Sequence, residues 1–242
     1  FKNNNMIELS IVIPCYNEDK NIFPLFKKIE DLLKKNENIE VIIVDNGSLD
    51  NTYQNIISSN LYKKNKIKFK KIEKNIGYGH GIMSGVSLAE GNCIGWCHAD
   101  LQTEPSDVYS SWSENKDYLN NFKCIVKGRR RNRNFFDALF TFAMSIIVSI
   151  LFFSKINDIN AQPKLFNKSF LKYMKDYPND FSLDLFFLIM AKTNSYKIIN
   201  YNVYYNKRVY GEAKGGGSFK GKFKLIKKTF AYIIKLRKKL WK

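Results

Sequence analysis

Acidic residues are scarce in this chain: 22 Asp and Glu stand against 40 Lys and Arg, a formal net charge of +18 over 242 residues. Such an excess points to an anionic partner, whether nucleotide, lipid phosphate, membrane surface or nucleic acid. Lys, Asn and Ile are abundant throughout, so only local clusters of charge carry weight. Cysteine is sparse too. Cys15, Cys93, Cys97 and Cys124 show no paired Cys-x-x-Cys ligand spacing, which argues against a zinc site and against a disulfide framework. Placed in or beside apolar runs, they read as reduced core residues. No internal repeat or low-complexity linker divides the chain. No signal peptide is recognised at its start; Phe1 is not an initiator, and Met6 is a candidate start with residues 1–5 as an extension or fragment. With 45% apolar residues and 15% aromatics, disorder is excluded, and the length suffices for one large α/β domain.

The first 130 residues alternate two periods. Residues 9–15 and 39–44 are apolar and β-branched, 67–72 alternate apolar and basic, 93–97 form a buried-strand pattern, and 124–126 make a short fifth strand. Between them Ile22, Leu25, Phe26, Ile29, Leu32 and Leu33 recur at helical spacing. Shorter helices are predicted near 50–58, 80–90 and 106–119. Strands alternating with helices predict an α/β fold, a mostly parallel sheet with helices on both faces. Ligands in such sheets bind beyond the carboxyl ends of the strands. Three polar groups sit at those ends: Tyr16-Asn17-Glu18, Asp45-Asn46-Gly47-Ser48 and His98-Ala99-Asp100-Leu101-Gln102.

The last of these groups puts an acid where an apolar strand should end. Read as a continuing strand, the i, i+2 spacing projects Asp100 and Gln102 in the same direction. Two hard oxygen donors there suit Mg²⁺ or Mn²⁺, which would hold a diphosphate. The plainer reading is a strand-end turn capped by Asp100.

Two segments concern membranes. Residues 135–153 are nearly all apolar, broken by Asp137 and Thr141, and barely long enough to span a bilayer. A spanning helix would separate the later motifs from the earlier ones, so a helix against the membrane face is preferred, with a buried core helix as the alternative. Residues 218–242 carry Phe219, Phe223, Ile226, Phe230, Ile233 and Leu240 at three- and four-residue steps, with one longer gap. Ten Lys or Arg and no acid lie between 220 and 242. That is the pattern of an in-plane helix attracted to anionic lipid; an ordinary solvated helix is the alternative. A nucleic-acid tail would not need the apolar stripe, so no nucleic acid partner is expected.

Ile11-Val12-Ile13-Pro14-Cys15-Tyr16-Asn17-Glu18, Val44-Asp45-Asn46-Gly47-Ser48-Leu49-Asp50 and Ala99-Asp100-Leu101-Gln102 occur in this order on three strand ends. The set resembles the family 2 glycosyltransferases, inverting enzymes of the GT-A (Rossmann-like) fold that use nucleotide-sugar donors. Within that family the chain is similar to the dolichyl-phosphate mannosyltransferase and polyprenyl-phosphate sugar transferase branch. The resemblance covers about residues 7–216. It implies a GT-A domain over 7–217, followed by the basic amphipathic helix at 218–242.

The resemblance also implies roles. Pro14, Tyr16 and Glu18 would line the base and ribose pocket, and Asp45 would contact the base, with Asn46 where the family usually has a second Asp. Asp100 and Gln102 match the metal-binding positions. Ala99 and His98 complete the donor side, His98 standing where the family usually has Asp. A neutral imidazole can make one hydrogen bond to ribose or phosphate, or ligate a metal; it can also simply pack beside Trp96. Gly77-Tyr78-Gly79-His80-Gly81 resembles the family's N-x-G-x-G-x-A segment, whose glycines would let the backbone approach a ligand. Lys127-Gly128-Arg129 resembles G-S-R, with Arg129 reaching the donor phosphates. The run from Asp158 to Phe166 resembles D-x-x-S-G-F-R-L on the acceptor side, with Gln162 in place of Gly and Lys164 in place of Arg. Arg208-Val209-Tyr210-Gly211-Glu212-Ala213-Lys214 resembles R-x-x-G-x-S-K, so Arg208 and Lys214 would fold over the diphosphate, hinged at Gly215-Gly216-Gly217.

The implied activity is transfer of a sugar from a nucleotide-diphosphate sugar to a polyprenyl phosphate or other lipid-linked acceptor. It would be aided by Mg²⁺ or Mn²⁺, at the cytoplasmic face of an anionic membrane surface, with the protein peripheral. Asp100, Arg208 and Lys214 are the expected catalytic residues. Asp184 is added as a base if the acceptor is a hydroxyl. Two alternatives stay open: a family 2 enzyme acting on a glycan or lipid-linked saccharide hydroxyl, and a non-catalytic membrane-associated nucleotide-binding protein.

Overall fold

The computed structural model describes residues 6–131, 146, 149–152, 156–211 and 219–240, and of 219–226 the backbone alone. Strand β1 (Leu9–Cys15) leads into helix α1 (Asp19–Lys35), then β2 (Ile39–Asn46), α2 (Thr52–Ser58), the short α3 (Asn60–Lys63), β3 (Lys68–Ile72), α4 (Tyr78–Val86) and β4 (Cys93–Trp96). Helix α5 (Pro105–Asn121), β5 (Cys124–Arg131), β6 (Lys164–Asn167), a 3-10 turn (Lys168–Tyr173), α6 (Leu183–Thr193), β7 (Lys197–Tyr204) and α7 (Phe219–Leu240) complete the described elements. The strands form a seven-stranded sheet in the order β3-β2-β1-β4-β6-β5-β7. The pairs β1–β2, β1–β4, β2–β3 and β5–β7 are parallel, and β6 runs antiparallel to both β4 and β5.

Period-two alternation sorts the strand side chains onto two apolar layers. Val12, Ile42, Val44, Ile94, Trp96, Ile125 and Phe166 face α4, α6 and α7. Leu9, Ile11, Ile13, Val41, Ile43, Val126 and Leu165 face α1 and α5. Both faces are therefore covered, which is why β1 and β2 read as continuous apolar runs. Trp96 anchors the first layer edge-on to Phe166 and Phe187, with ring centroids 5.9 and 5.0 Å away, and Phe170 and Tyr196 extend the cluster. Such aromatic pairs add roughly 0.5–1.5 kcal/mol each beyond area burial.

Three differences from the sequence expectations matter. The fifth strand does not stop at Val126 but runs to Arg131, because β7 pairs with it from Cys124↔Lys197 to Arg131↔Tyr204. The four residues of β6 are inserted between β4 and β5 by long-range pairing, and too short a strand carries no readable period. Ile233 and Leu236 of α7 are buried at 0% and 4% exposure in the first layer, so Ile233 belongs to the core and not to a lipid-facing stripe. Phe230 and Ile234, 41% and 40% exposed, point the other way. Of residues 135–153 only 146 and 149–152 lie among those described, with Ile150 exposed and Phe152 buried. Among the described residues no helix is long and apolar enough to cross a membrane.

Close approach between β5 and the chain before β6 fixes the far half of the sheet. The Gly128 N–H donates to the Pro163 carbonyl at 2.7 Å, and a Cβ at 128 would lie 1.9 Å from the Gln162 carbonyl oxygen. The obstacle is backbone and cannot rotate away. Gly128→Ala is expected to lower stability by about 1–3 kcal/mol, as overpacking does, read as a reduced denaturation midpoint with an unchanged m-value.

Candidate active site

Two loops at the carboxyl end of the sheet are laced to each other. The Asn17 N–H donates to Ser48 Oγ at 3.0 Å, and the Leu49 N–H donates to Asn17 Oδ1 at 2.7 Å. The Glu18 N–H donates to Thr52 Oγ1 at 2.7 Å. Asn17 takes a positive φ of 51°, a conformation Asn tolerates better than most residues. Beneath this lacing Asp45 and Asn46 are 1% and 3% exposed. Asp45 Oδ1 accepts from the Ser48 N–H, and Asn46 Nδ2 donates to the Gly77 carbonyl. Asp45 Oδ2 and Asn46 Oδ1 have no partner among the described residues. Two buried acceptors without donors are costly, and each fits an N–H or O–H arriving with a ligand.

Asp100 is placed by a turn. Strand β4 ends at Trp96, Leu101 has φ +60°, and Asp100 Oδ1 accepts from the Gln102 N–H at 3.1 Å. The strand-alternation argument for two ligands on one side therefore does not hold. Gln102 Oε1 instead accepts from the Tyr205 hydroxyl at 2.8 Å, and Gln102 Nε2 donates to the Asn206 carbonyl. Asp100 itself is 3% exposed, and its Oδ2 accepts from Arg208 at 2.5 Å across 108 residues of chain. The same guanidinium lies 3.9 Å from Glu18 Oε1. Residues 205–208 thus cross the Asp100 turn as a strap bonded to positions 100 and 102.

From Asp100 the contacts run inward. His98 Nδ1 is 4.0 Å from Asp100 Oδ2, and His98 Nε2 is 3.0 Å from the Tyr78 hydroxyl. That hydroxyl donates to Asp184 Oδ2 at 3.4 Å and accepts from Gln162 Nε2 at 3.0 Å. Gln162 Nε2 also lies 3.2 Å from both Asp184 oxygens. Lys164, fully buried, donates to the Ile159 and Ala161 carbonyls at 2.9 and 2.7 Å and stands 3.4 Å from Asp184. Burial lowers the His98 pKa below its ordinary value, against the pull of Asp100 and Asp184, so the imidazole is neutral near pH 7. Burial also lowers the Lys164 pKa, with Asp184 opposing. The Tyr78 phenol is pushed well up, by burial first and then by Asp184, and remains a donor.

Sequence reasoning passed over Tyr78 and took Gln162 only as a departure from a pattern. The glycines around Tyr78 let the chain approach residues 178–180 closely. A Cβ on Gly77 or Gly79 would lie 2.3 Å from the Asn179 carbonyl oxygen or 2.2 Å from that of Pro178. This close approach seats Tyr78 against Phe181, stacked at 4.8 Å between centroids. Arg129 sits exposed near the end of β5. Its neighbour Arg130 turns inward, bonded through its backbone and side chain to Asp158 and lying 5.3 Å over the Tyr205 ring. Pro14 and Tyr16 flank the end of β1, and Ala99 is buried beside Asp100. Of the expected catalytic set, Asp100 and Arg208 meet directly, and Asp184 joins them through Tyr78 and His98. Lys214 and the glycine run 215–217 lie outside the described residues.

For a divalent ion the site offers the Asp100 carboxylate with His98 Nδ1 beside it. No group of three or more His, Cys, Asp or Glu that could hold an ion exists among the described residues. This donor set fits Mg²⁺ or Mn²⁺ in the manner of ions that take one or two carboxylates and complete their shell with phosphate oxygens and water. Gln102 Oε1 is already engaged by Tyr205.

A family model described as Glycosyl transferase family 2 matches residues 10–134. Dodecaprenyl-phosphate galacturonate synthase of Rhizobium johnstonii is 26% identical over 176 residues, covering 70% of this chain and 50% of that protein. Undecaprenyl-phosphate 4-deoxy-4-formamido-L-arabinose transferase of Proteus mirabilis is 25% identical over 215 residues, covering 86% of this chain and 62% of that protein. The chain thus spans about half to three-fifths of these relatives' lengths. Glucosyl-3-phosphoglycerate synthase from Mycobacterium tuberculosis, solved with Mn²⁺, uridine diphosphate and glucosyl-3-phosphoglycerate, superposes with a TM-score of 0.65 at 15% identity, over 84% of this chain and 72% of that one.

Two stability measurements test the buried network. Asp184→Ala leaves the Lys164 ammonium without its carboxylate and is expected to cost about 3–5 kcal/mol, whereas adding Lys164→Met should return much of that loss; a denaturant double-mutant cycle reads both. His98 binds its proton near pH ~6.5 in the unfolded chain and only at lower pH when folded. The unfolded state therefore holds more protons in that interval, and stability should fall as the pH drops from the unfolded value toward the folded one. His98→Gln should flatten that part of the profile.

Proposed function

The chain belongs to glycosyl transferase family 2, and on that premise we propose that it transfers a sugar from a nucleoside diphosphate donor to a polyprenyl phosphate at the cytoplasmic face of a membrane. The observation that carries this reading is the unbroken run of contacts from Glu18 through Arg208, Asp100, His98 and Tyr78 to Asp184. It joins the edge where a nucleotide binds in such sheets to the elements β6 and α6. The GT-A fold supports the donor half, and the polyprenyl-phosphate names of two relatives support the acceptor half.

On the donor side, Asp45 Oδ2 and Asn46 Oδ1 accept from the base and ribose, while Pro14, Tyr16 and Glu18 wall the pocket. Asp100, with His98 beside it, would hold Mg²⁺ or Mn²⁺, which when bound supplies positive charge to the diphosphate. Arg208 turns from Asp100 to the departing diphosphate, where Lys214 adds a second cation. Arg129 contributes at longer range. The acceptor phosphate is already ionised near neutral pH and attacks the anomeric carbon from the opposite side, inverting it. No side chain has to remove a proton. Asp184 suits that chemistry, since both its oxygens already accept from Gln162, one also from Tyr78, and Lys164 stands beside it. The exposed side of α7, with Phe230 and Ile234 among lysines, supplies an apolar and basic face for anionic lipid.

The reading is tested by incubating the protein with a panel of nucleotide sugars and Mn²⁺, with and without undecaprenyl phosphate. Lipid-linked sugar is expected only when the lipid phosphate is present. Arg208→Ala should lower kcat/KM by about 10²–10³, the range for losing one preorganised electrostatic group, and Asp100→Asn should remove most activity. Product on a sugar hydroxyl but not on the lipid phosphate would overturn the acceptor assignment.

A further inference from the structure

We propose that the cavity between β5, β7 and α6 is a second anion site, built for a phosphoryl group and sharing no residue with the strand-end site. It has a volume of about 340 Å³ and is lined by Lys127, Ile156, Asn157, Lys192, Ile198 and Asn200. Two lysines and two carboxamides line it, and among the described residues no acid does. Ile156 and Ile198 add apolar walls that strengthen any charge interaction inside.

Lys127 is the residue that demands an explanation. It pairs across the sheet with Lys164 on one side and Asn200 on the other, so all three side chains share one face. Lys127 is 1% exposed, yet its ammonium donates one hydrogen bond among the described residues, to the Gly128 carbonyl at 3.1 Å. An ammonium has three donors. Lys164 beside it has the Ile159 and Ala161 carbonyls and Asp184. Asp158, the acid that acts on Lys127, is bonded by Arg130. A buried cation with unused donors, opening on a cavity with no acid, is costly when empty and is relieved by an anion. Burial, and next the Lys164 ammonium, pull the Lys127 amine down to about 7, which is the mark of a cation lacking its counter-charge. Lys192, exposed on the last turn of α6, stands at the mouth as the second cation. Lys127, Lys192, Asn157 and Asn200 supply donors along this lining for the oxygens of a phosphate monoester, and charge-assisted bonds of this kind are the strong ones. The phosphoryl group could belong to a soluble ester or to a lipid headgroup.

The test reads the lysines directly. The whole protein is reductively methylated and each lysine's modification rate followed by peptide mass spectrometry, in inorganic phosphate, in chloride of equal ionic strength, and with phosphatidylcholine vesicles with or without phosphatidic acid. Phosphate, or phosphatidic acid vesicles, should protect Lys192 saturably, together with Lys127 where it reacts, and chloride should not. Protection by phosphate identifies a soluble ligand, and protection by the vesicles alone identifies a headgroup. Lys127→Met, which removes the buried charge without opening a cavity, should weaken protection of Lys192 about tenfold or more. Arg208→Ala should leave the protection intact, which separates this site from the strand-end site and from the proposed transfer reaction. The proposal is overturned if neither probe protects Lys192, if chloride protects equally, if Lys127→Met changes nothing, or if protection disappears in Arg208→Ala.

Discussion

The ion pair between Lys164 and Asp184, 0% and 2% exposed in their side chains, is the interaction around which the inner half of the molecule is arranged. Neither charge tolerates a low-dielectric interior without its partner. Its demands spread outward. Lys164 draws the Ile159 and Ala161 carbonyls toward β6, and Asp184 draws the Gln162 amide and the Tyr78 hydroxyl. Tyr78 can come only because Gly77 and Gly79 let α4 press against the loop of residues 178–180. His98 is then fixed from one side by Tyr78 and from the other by Asp100. A pair that looks like core architecture thus sets the orientation of groups at the strand-end edge.

The outer half is held differently. The loops after β1 and β2 exchange hydrogen bonds, and the 205–208 segment straps across the Asp100 turn through Tyr205, Asn206 and Arg208. These contacts are partly buried and lie at the edge of the sheet, where local opening costs least. The contrast sets a buried network beneath a strap held by contacts at the sheet's edge. Arg208 sits between two carboxylates, Glu18 and Asp100, so its charge is already held at the edge where a diphosphate would lie.

The strong positive charge divides into parts with different physics. Lys164 and Lys127 are fully buried and belong to the interior, and Arg130 is spent on Asp158. On α7, Lys227, Lys228, Lys235, Lys238 and Lys239 are exposed, and Lys239 pairs with Asp176 at 2.9 Å. Net charge therefore speaks to anionic partners in general; the burial of each cation decides whether it braces the fold, awaits a ligand or faces a surface.

The sequence by itself determined the α/β class, the covered parallel sheet and the three polar strand ends, because those rest on local periods and on acids placed where apolar runs stop. It also brought forward Asp45 and Asp100 through motifs in a fixed order, and Asp184 and Arg208 through a family resemblance. The tertiary structure alone decided what joins them. Arg208 reaches Asp100 across 108 residues, β6 enters the sheet by long-range pairing that no four-residue pattern announces, and Ile233 turns from a surface stripe into core. The contacts of Tyr78 and Gln162 were illegible for the same reason: their partners lie about twenty to a hundred residues away. Lys127 was placed only in the Lys127-Gly128-Arg129 segment until pairing with β6 and β7 buried it. Local sequence fixes which face a side chain takes; only the completed fold supplies, or withholds, the partner that its charge requires.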